Sequence, residues 1–306
     1  MTSCRTFLSL RLLVVLLAIG LLAFGVAQTF SLSVGAHTQQ SLAAANKFEA
    51  FDSKNFDATT KVNNKWFPLK PGTQYVYKGF ANDEGRRVPH RVVFTVTDLT
   101  KMIGGVRGVV ALEKDYSGRS LVEAEIVFFA QDKDGTVWQL GQYPEEYEGR
   151  RIVATPAWIH GIQDAKAGIT MMAEPRLGTP SYSQGWGPAV KYMDRGIVFQ
   201  VGQKTCVPLK CFEDVLVIRE SSEEEPDAYQ DKHHAQGVGV IRVGWAGAGE
   251  KTQEILELIS VSELDAKDLG LVRAEALRLD KRAYRYSKKV FANTTPAEHT
   301  PVTNGQ

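Results

Sequence analysis

The stretch Leu121-Val122-Glu123-Ala124-Glu125-Ile126-Val127-Phe128-Phe129-Ala130 decides the fold. Side chains two apart on an extended chain share a face, so Val122, Ala124, Ile126, Phe128 and Ala130 form one wholly apolar row. The other row, Leu121, Glu123, Glu125, Val127 and Phe129, mixes charge with apolar side chains. This period of two marks a strand. A strand with one dry face and one of mixed polarity suits a curved sheet, or a barrel whose interior is partly filled.

Outward from this stretch the same pattern recurs. Strand-like runs at 74–77, 91–97, 106–113 and 136–143 are separated by the turn signals Gly104-Gly105, Ser117-Gly118 and Asp134-Gly135. Further runs at 196–201, 213–219, 238–245 and 253–261 follow a Gly/Pro-rich segment over 174–188, which carries Tyr182 and Trp186 and reads as a loop or lid. The expected fold is mainly β. An antiparallel meander over 61–261 forms a curved sheet or barrel-like domain, analogous to lipocalin-like barrels and lipoprotein carriers.

After Ser262 the period changes. Leu269, Val272, Ala276, Leu279, Ala283, Tyr286 and Val290 recur at steps of three and four, which predicts an amphipathic helix over 262–291 packed on the β domain. Ser262 with Asp265 is its expected capping pair. The far face is basic toward the end (Lys281, Arg282, Arg285, Lys288, Lys289), either solvated or turned to an anionic partner. The polar tail 292–306 reads as disordered and holds the sequon Asn293-Thr294-Thr295.

The N-terminus sets the compartment. An uncharged apolar run from Leu12 to Ala27 follows Arg5 and Arg11, so 1–27 reads as a signal peptide or an N-terminal membrane anchor. Either way the body lies outside the cytoplasm, whether periplasmic, secreted or membrane-anchored facing outward. Residues 28–60 are polar and Ala/Ser/Gln-rich, as expected of a disordered tether. With 36 basic and 35 acidic side chains, the net charge of +1 falls near zero once Arg5 and Arg11 are set aside, which argues against nucleic acid as a partner.

Few residues point to chemistry. Cys206 and Cys211, the only cysteines after the leader, are expected to form a disulfide across a tight hairpin in an oxidising compartment. His233-His234 is the one cluster suggestive of a metal, yet neighbours on a strand face opposite ways and do not readily share an ion. Glu123 and Glu125 share a face at a spacing that general acid/base pairs use. Asp132-Lys133-Asp134-Gly135 resembles part of a calcium loop but suits a hairpin turn better. No nucleophile elbow, P-loop or zinc-protease motif occurs, and no cofactor is implied. The aromatic surplus (Trp138, Trp158, Trp186, Trp245, Tyr182) with Met171-Met172 is explained by core packing, or by a ligand pocket lined by Trp186, Tyr182, Trp138 and Met172.

Three segments together resemble a family of exported bacterial β-rich proteins to which no activity is assigned. They are Asn64-Lys65-Trp66-Phe67-Pro68-Leu69-Lys70-Pro71-Gly72-Thr73-Gln74-Tyr75-Val76-Tyr77, Leu121-Val122-Glu123-Ala124-Glu125 with Phe128-Phe129-Ala130-Gln131-Asp132, and Ala235-Gln236-Gly237-Val238-Gly239. The resemblance implies a bacterial envelope protein. It also implies an aromatic pair at the positions held here by His233-His234. The function expected from the whole chain is binding of an apolar or amphipathic small ligand between sheet and helix. The alternatives are an extracytoplasmic hydrolase using Glu123 and Glu125, and an interaction module acting through the C-terminal helix.

Overall fold

The computed structural model describes residues 48–57, 60–83 and 85–299. The leader expected at 1–27, the tether as far as residue 47 and the tail beyond residue 299 lie outside the described residues. Strands follow as β1 (Thr73–Asp83), β2 (Arg86–Ile103), β3 (Val106–Ser117), β4 (Ser120–Gln131), β5 (Val137–Glu148), β6 (Arg151–Ala154), β7 (Trp158–Ile159) and β8 (Lys166–Met171). They continue as β9 (Tyr182–Ser183), β10 (Gly185–Trp186), β11 (Asp194–Cys206), β12 (Cys211–Ser222), β13 (Tyr229–Ala235), β14 (Gly239–Ala246) and β15 (Ile255–Glu263). The helices α1 (Ala266–Tyr286) and α2 (Lys288–Phe291) come next, then β16 (Glu298–His299).

Antiparallel hairpins link β1 through β5 and β11 through β15, and β1 pairs with β15 to join both halves into one sheet. The sheet curls into a nearly closed barrel. One edge is β8 and the other is β11, and the chain from Tyr182 to Trp186 pairs with both, β9 on β11 and β10 on β8. Glycine makes this seam possible. A Cβ at Gly168 of β8 would lie 2.1 Å from the backbone of Gln184 and Gly185, and one at Gly196 of β11 would lie 2.8 Å from the Tyr182 ring. The Gly/Pro-rich segment expected as a loop or lid thus contains a strap that closes the barrel. Two-residue strands are too short to show a period, so the sequence pattern registered only the turns around them.

Strands β2 to β5 separate two cores, as the alternation in β4 requires. Val127 and Phe129 face the barrel interior, whereas Ala124, Ile126, Phe128 and Ala130 face outward against Ala276, Leu279 and Ala283 of α1 and Phe291 of α2. The helix is also tied down by charge. Arg282 grips Glu145 through two bonds of 2.7 and 2.6 Å, Arg273 pairs with Asp98, and Lys114 pairs with Glu275 at 2.9 Å. Lys101, with no exposed surface, donates to Asp280 at 2.8 Å, Tyr284 at 3.1 Å and the Thr295 carbonyl at 2.6 Å.

Several expected boundaries move. Asp265 alone caps α1, its carboxylate accepting from the Asp268 N–H at 2.8 Å, while Ser262 is still in β15. Tyr286, placed on the apolar stripe by periodicity, is 46% exposed, and Asp280 takes a buried place on that face as partner of Lys101. The tail expected to be disordered from 292 is bound through residue 299. Asp280 accepts from the Ala297 N–H at 3.0 Å and β16 pairs with β2. The tether ends earlier than 60, because Phe51 and Phe56 pack on the outer core and Phe51 sits 5.5 Å from the Trp138 ring. Two phenylalanines suffice to anchor a short segment whose average composition is polar.

Candidate functional site

The segment before β1 stoppers one end of the barrel. Asn64 donates to the carbonyls of Gly135 at 2.9 Å and Met172 at 3.0 Å, and Gln131 accepts from the N–H groups of Asn63 and Asn64 at 2.8 and 2.7 Å. On the far side the Gly237 N–H donates to the Lys65 carbonyl at 2.7 Å. Two of the three segments that carry the family resemblance therefore meet here, and the third supplies Gln131.

Above this stopper lies a cavity of about 100 Å³ inside the barrel. For scale, an apolar cavity of about 150 Å³ accepts benzene. Its apolar wall includes Phe67, Leu69, Tyr75, Val127, Phe129 and Val243. Its polar wall includes Glu113, Gln139, Gln184, Asp194, Glu220 and Lys232. Lys232 pairs with Glu220 at 2.5 Å, and Gln184 donates to Glu220 at 2.8 Å. Gln139 is held by its bond to Gln142 at 2.9 Å. Lys232, Glu220 and Gln184 are thus fixed by one another in the cavity wall.

Burial sets the protonation of the wall. It pushes His234 down to about 4, so this histidine is a neutral ring whose Nδ1 lies 3.2 Å from the Trp66 carbonyl. Burial also raises Tyr75 to about 12 and Tyr77 well above its ordinary value, and the Tyr77 hydroxyl donates to the Val240 carbonyl at 2.9 Å. Elsewhere in the interior His90 bonds Asp115 and lies 2.7 Å from Glu254. Burial pulls His90 down, but the two carboxylates outweigh it and raise the group to about 10. Glu254 is raised by burial despite that partner, and burial likewise raises Glu146.

The residues singled out from sequence are dispersed. Glu123 and Glu125 do share the inner face, both buried, opposite Asp115 and Glu113 of β3, but neither lines the cavity. Trp138 faces the outer core, where its Nε1 donates to Asp132 at 2.8 Å. Tyr182 is buried in the seam, Trp186 lies beside Phe48 with ring centres 6.5 Å apart, and Met172 packs at the rim of the inner core. None of these four lines the cavity. Nor does the cavity lie between sheet and helix, where Phe128, Leu279 and Phe291 fill the space.

His233 and His234 point to opposite faces, His233 bonding Thr205 at 2.9 Å on the outside. Among the described residues no group of three or more His, Cys, Asp or Glu side chains is placed to hold a metal ion. Cys206 and Cys211 are disulfide-bonded, directly opposite one another at the end of the β11–β12 hairpin. Asp132 makes the turn expected of it, accepting from the N–H groups of Asp134 at 3.1 Å and Thr136 at 2.9 Å.

No family model and no curated protein matches the chain. Among solved structures it is similar to a Bacteroides fragilis protein named for export and a YmcC-like fold, at 14% identity and a TM-score of 0.37 over 64% of this chain and 98% of that one. A Parabacteroides distasonis protein named as a lipoprotein matches at 12% identity and a TM-score of 0.36, over the same shares.

Sequence reasoning missed Phe67, Glu220 and Lys232 as cavity residues. Phe67 was legible only as part of a turn-rich opening. Glu220 and Lys232 meet diagonally across β12 and β13, where Ile218 is opposite Lys232 and Glu220 opposite Gln230. Their meeting depends on a register that neither strand announces alone.

Proposed function

We propose that the protein is exported and binds a small apolar or amphipathic ligand inside the barrel. The observation that carries this is the cavity itself, apolar beside Phe67 and Phe129 and polar beside Glu220 and Lys232. Such a division suits a molecule with one apolar and one hydrogen-bonding end. Export is supported by the Arg-flanked apolar run and by the disulfide Cys206–Cys211. The carboxylates Glu123 and Glu125 lie outside the cavity wall, and the apolar stripe of α1 is spent on the sheet, so neither alternative function gains a specific observation.

The test is calorimetric titration with a small uncharged amphiphilic probe such as n-butanol, matched in size to the cavity. One-to-one saturable binding is expected, and Val240→Trp, at a half-buried position of the cavity wall, should abolish it while leaving the far-UV spectrum unchanged. Absence of saturation in the parent protein, or undiminished binding by a folded Val240→Trp variant, contradicts the reading.

A further inference from the structure

Strand β8 departs from strict alternation where it borders the cavity. Gly168 is opposite Gln139 of β5 and Ile169 is opposite Trp138, but Val137 is opposite Met171, so Thr170 is the extra residue of a β-bulge. Met171 belongs to the inner core together with Val137, and Thr170 next to it lines the cavity, so two successive side chains serve the interior. An unbroken strand would send one of them to the opposite face. Bulges recur beside binding sites because they re-aim a side chain in this way. Here the side chain is a hydroxyl. Thr170 Oγ1 is buried and has no hydrogen-bond partner among the described residues. A buried hydroxyl in that state costs stability, and a ligand that engages it recovers the cost.

The charged groups of the same wall are placed differently. Lys232 and Glu220 pair with each other, Gln184 donates to Glu220, and Glu113 and Asp194 have interactions of their own. A ligand carrying a full charge would give up its hydration to meet groups that already have partners.

We propose that Thr170 receives the polar end of the ligand, and that this end is a neutral hydrogen-bonding group, a hydroxyl or an amide, on a short apolar body lying against Phe67 and Phe129. The proposal rests on the cavity being a binding site. A threonine hydroxyl both donates and accepts, so it serves either group. The cavity of about 100 Å³ limits the apolar body to a few carbons.

n-Butanol, n-butylammonium, pentanoate and 1-chlorobutane share a butyl tail and differ in the head. Each is titrated calorimetrically into the full chain at pH 7. n-Butanol is expected to bind at least about tenfold more tightly than either ion. Thr170→Val keeps the shape of the side chain and removes the hydroxyl, so it should weaken n-butanol about fivefold and leave 1-chlorobutane unchanged, while Thr170→Ser should restore the alcohol. Thr170→Ala supplies the same comparison should the valine variant fail to fold. Unchanged n-butanol affinity in a folded variant without the hydroxyl, an equal loss for 1-chlorobutane, or an ion binding as tightly as the alcohol overturns the assignment to Thr170 with the binding reading intact. Absence of saturable binding by both n-butanol and 1-chlorobutane in the parent protein overturns both.

Discussion

The two faces of the sheet formed by β2 to β5 use the same strands for opposite ends. On the outer face, beneath α1, apolar side chains interdigitate and the buried charges Lys101, Asp280 and Glu145 each have an opposite partner. On the inner face the packing stops short and leaves a cavity whose wall mixes apolar side chains with Glu113, Asp194, Glu220 and Lys232. Close packing is the rule for interiors, and each cavity or crowded charge costs stability. The outer face therefore acts as the frame, and the inner face holds the cavity to which we propose a ligand binds.

The strongest way to break this contrast is to damage the frame. Lys101→Ala leaves Asp280 buried without its cation and releases Thr295, which should cost about 3–5 kcal/mol and lower the thermal midpoint by about 10 °C. The double variant Lys101→Met with Asp280→Leu should recover much of that loss, since no charge is then stranded. A single variant as stable as the parent would show that the pair does not hold the helix and tail.

Adjacent phenylalanines sharpen the comparison. Phe128 and Phe129 are both fully buried on opposite faces of β4. Phe128→Ala opens a hole in close packing and should cost about 3–5 kcal/mol by chemical denaturation. Phe129→Ala enlarges an existing cavity and should cost less. Probe affinity should change in Phe129→Ala and hold in Phe128→Ala. Equal costs with equal binding would erase the distinction.

Much of this contrast is written in the sequence. The alternation in 121–130 announces two faces, one mixed, and the period change after Ser262 announces the helix that covers the dry one. Cys206 and Cys211 were legible because a hairpin and an oxidising compartment leave two cysteines little else to do. The cavity was not legible. Its wall draws on Phe67 from the stopper, Phe129 from β4 and Glu220 and Lys232 from β12 and β13, residues brought together only by barrel closure. Tryptophan drew attention because it is large and scarce, yet Trp138 is spent on the outer core and Trp186 on the seam. The strap was hidden for a related reason. Its glycines and prolines describe local turns, whereas its role depends on Gly168 and Gly196 in two distant strands.

A smaller effect concerns the charge cluster inside. His90 has its proton held to about pH 10, against an ordinary 6.5, by Asp115 and Glu254. A base raised on folding stabilises the native state fully below about 6.5 and loses that contribution as the pH rises through about 10. The stability difference between the parent and His90→Asn, measured by urea denaturation, should therefore be largest near pH 6.5 and shrink toward pH 10. A difference that grows over this range would mean that His90 is not the cation of the cluster.

The smallest expected effect is at the hairpin end. Replacing Cys206 and Cys211 with Ser releases a loop of few residues and should cost about 2 kcal/mol without altering probe binding. Loss of binding would tie the hairpin to the cavity. Intact mass of the purified protein, two hydrogens below the reduced form, reports the bond directly.

The central claim is that the inner face binds and the outer face supports. Photoaffinity labelling with a short uncharged alkyl alcohol bearing a diazirine at its apolar end, read by peptide mapping, tests it most directly. The account predicts label on peptides that contain Phe67, Val127 or Phe129, suppressed by excess of the unmodified alcohol. Label concentrated on α1 around Ala276 and Leu279, or spread without suppression, would contradict it.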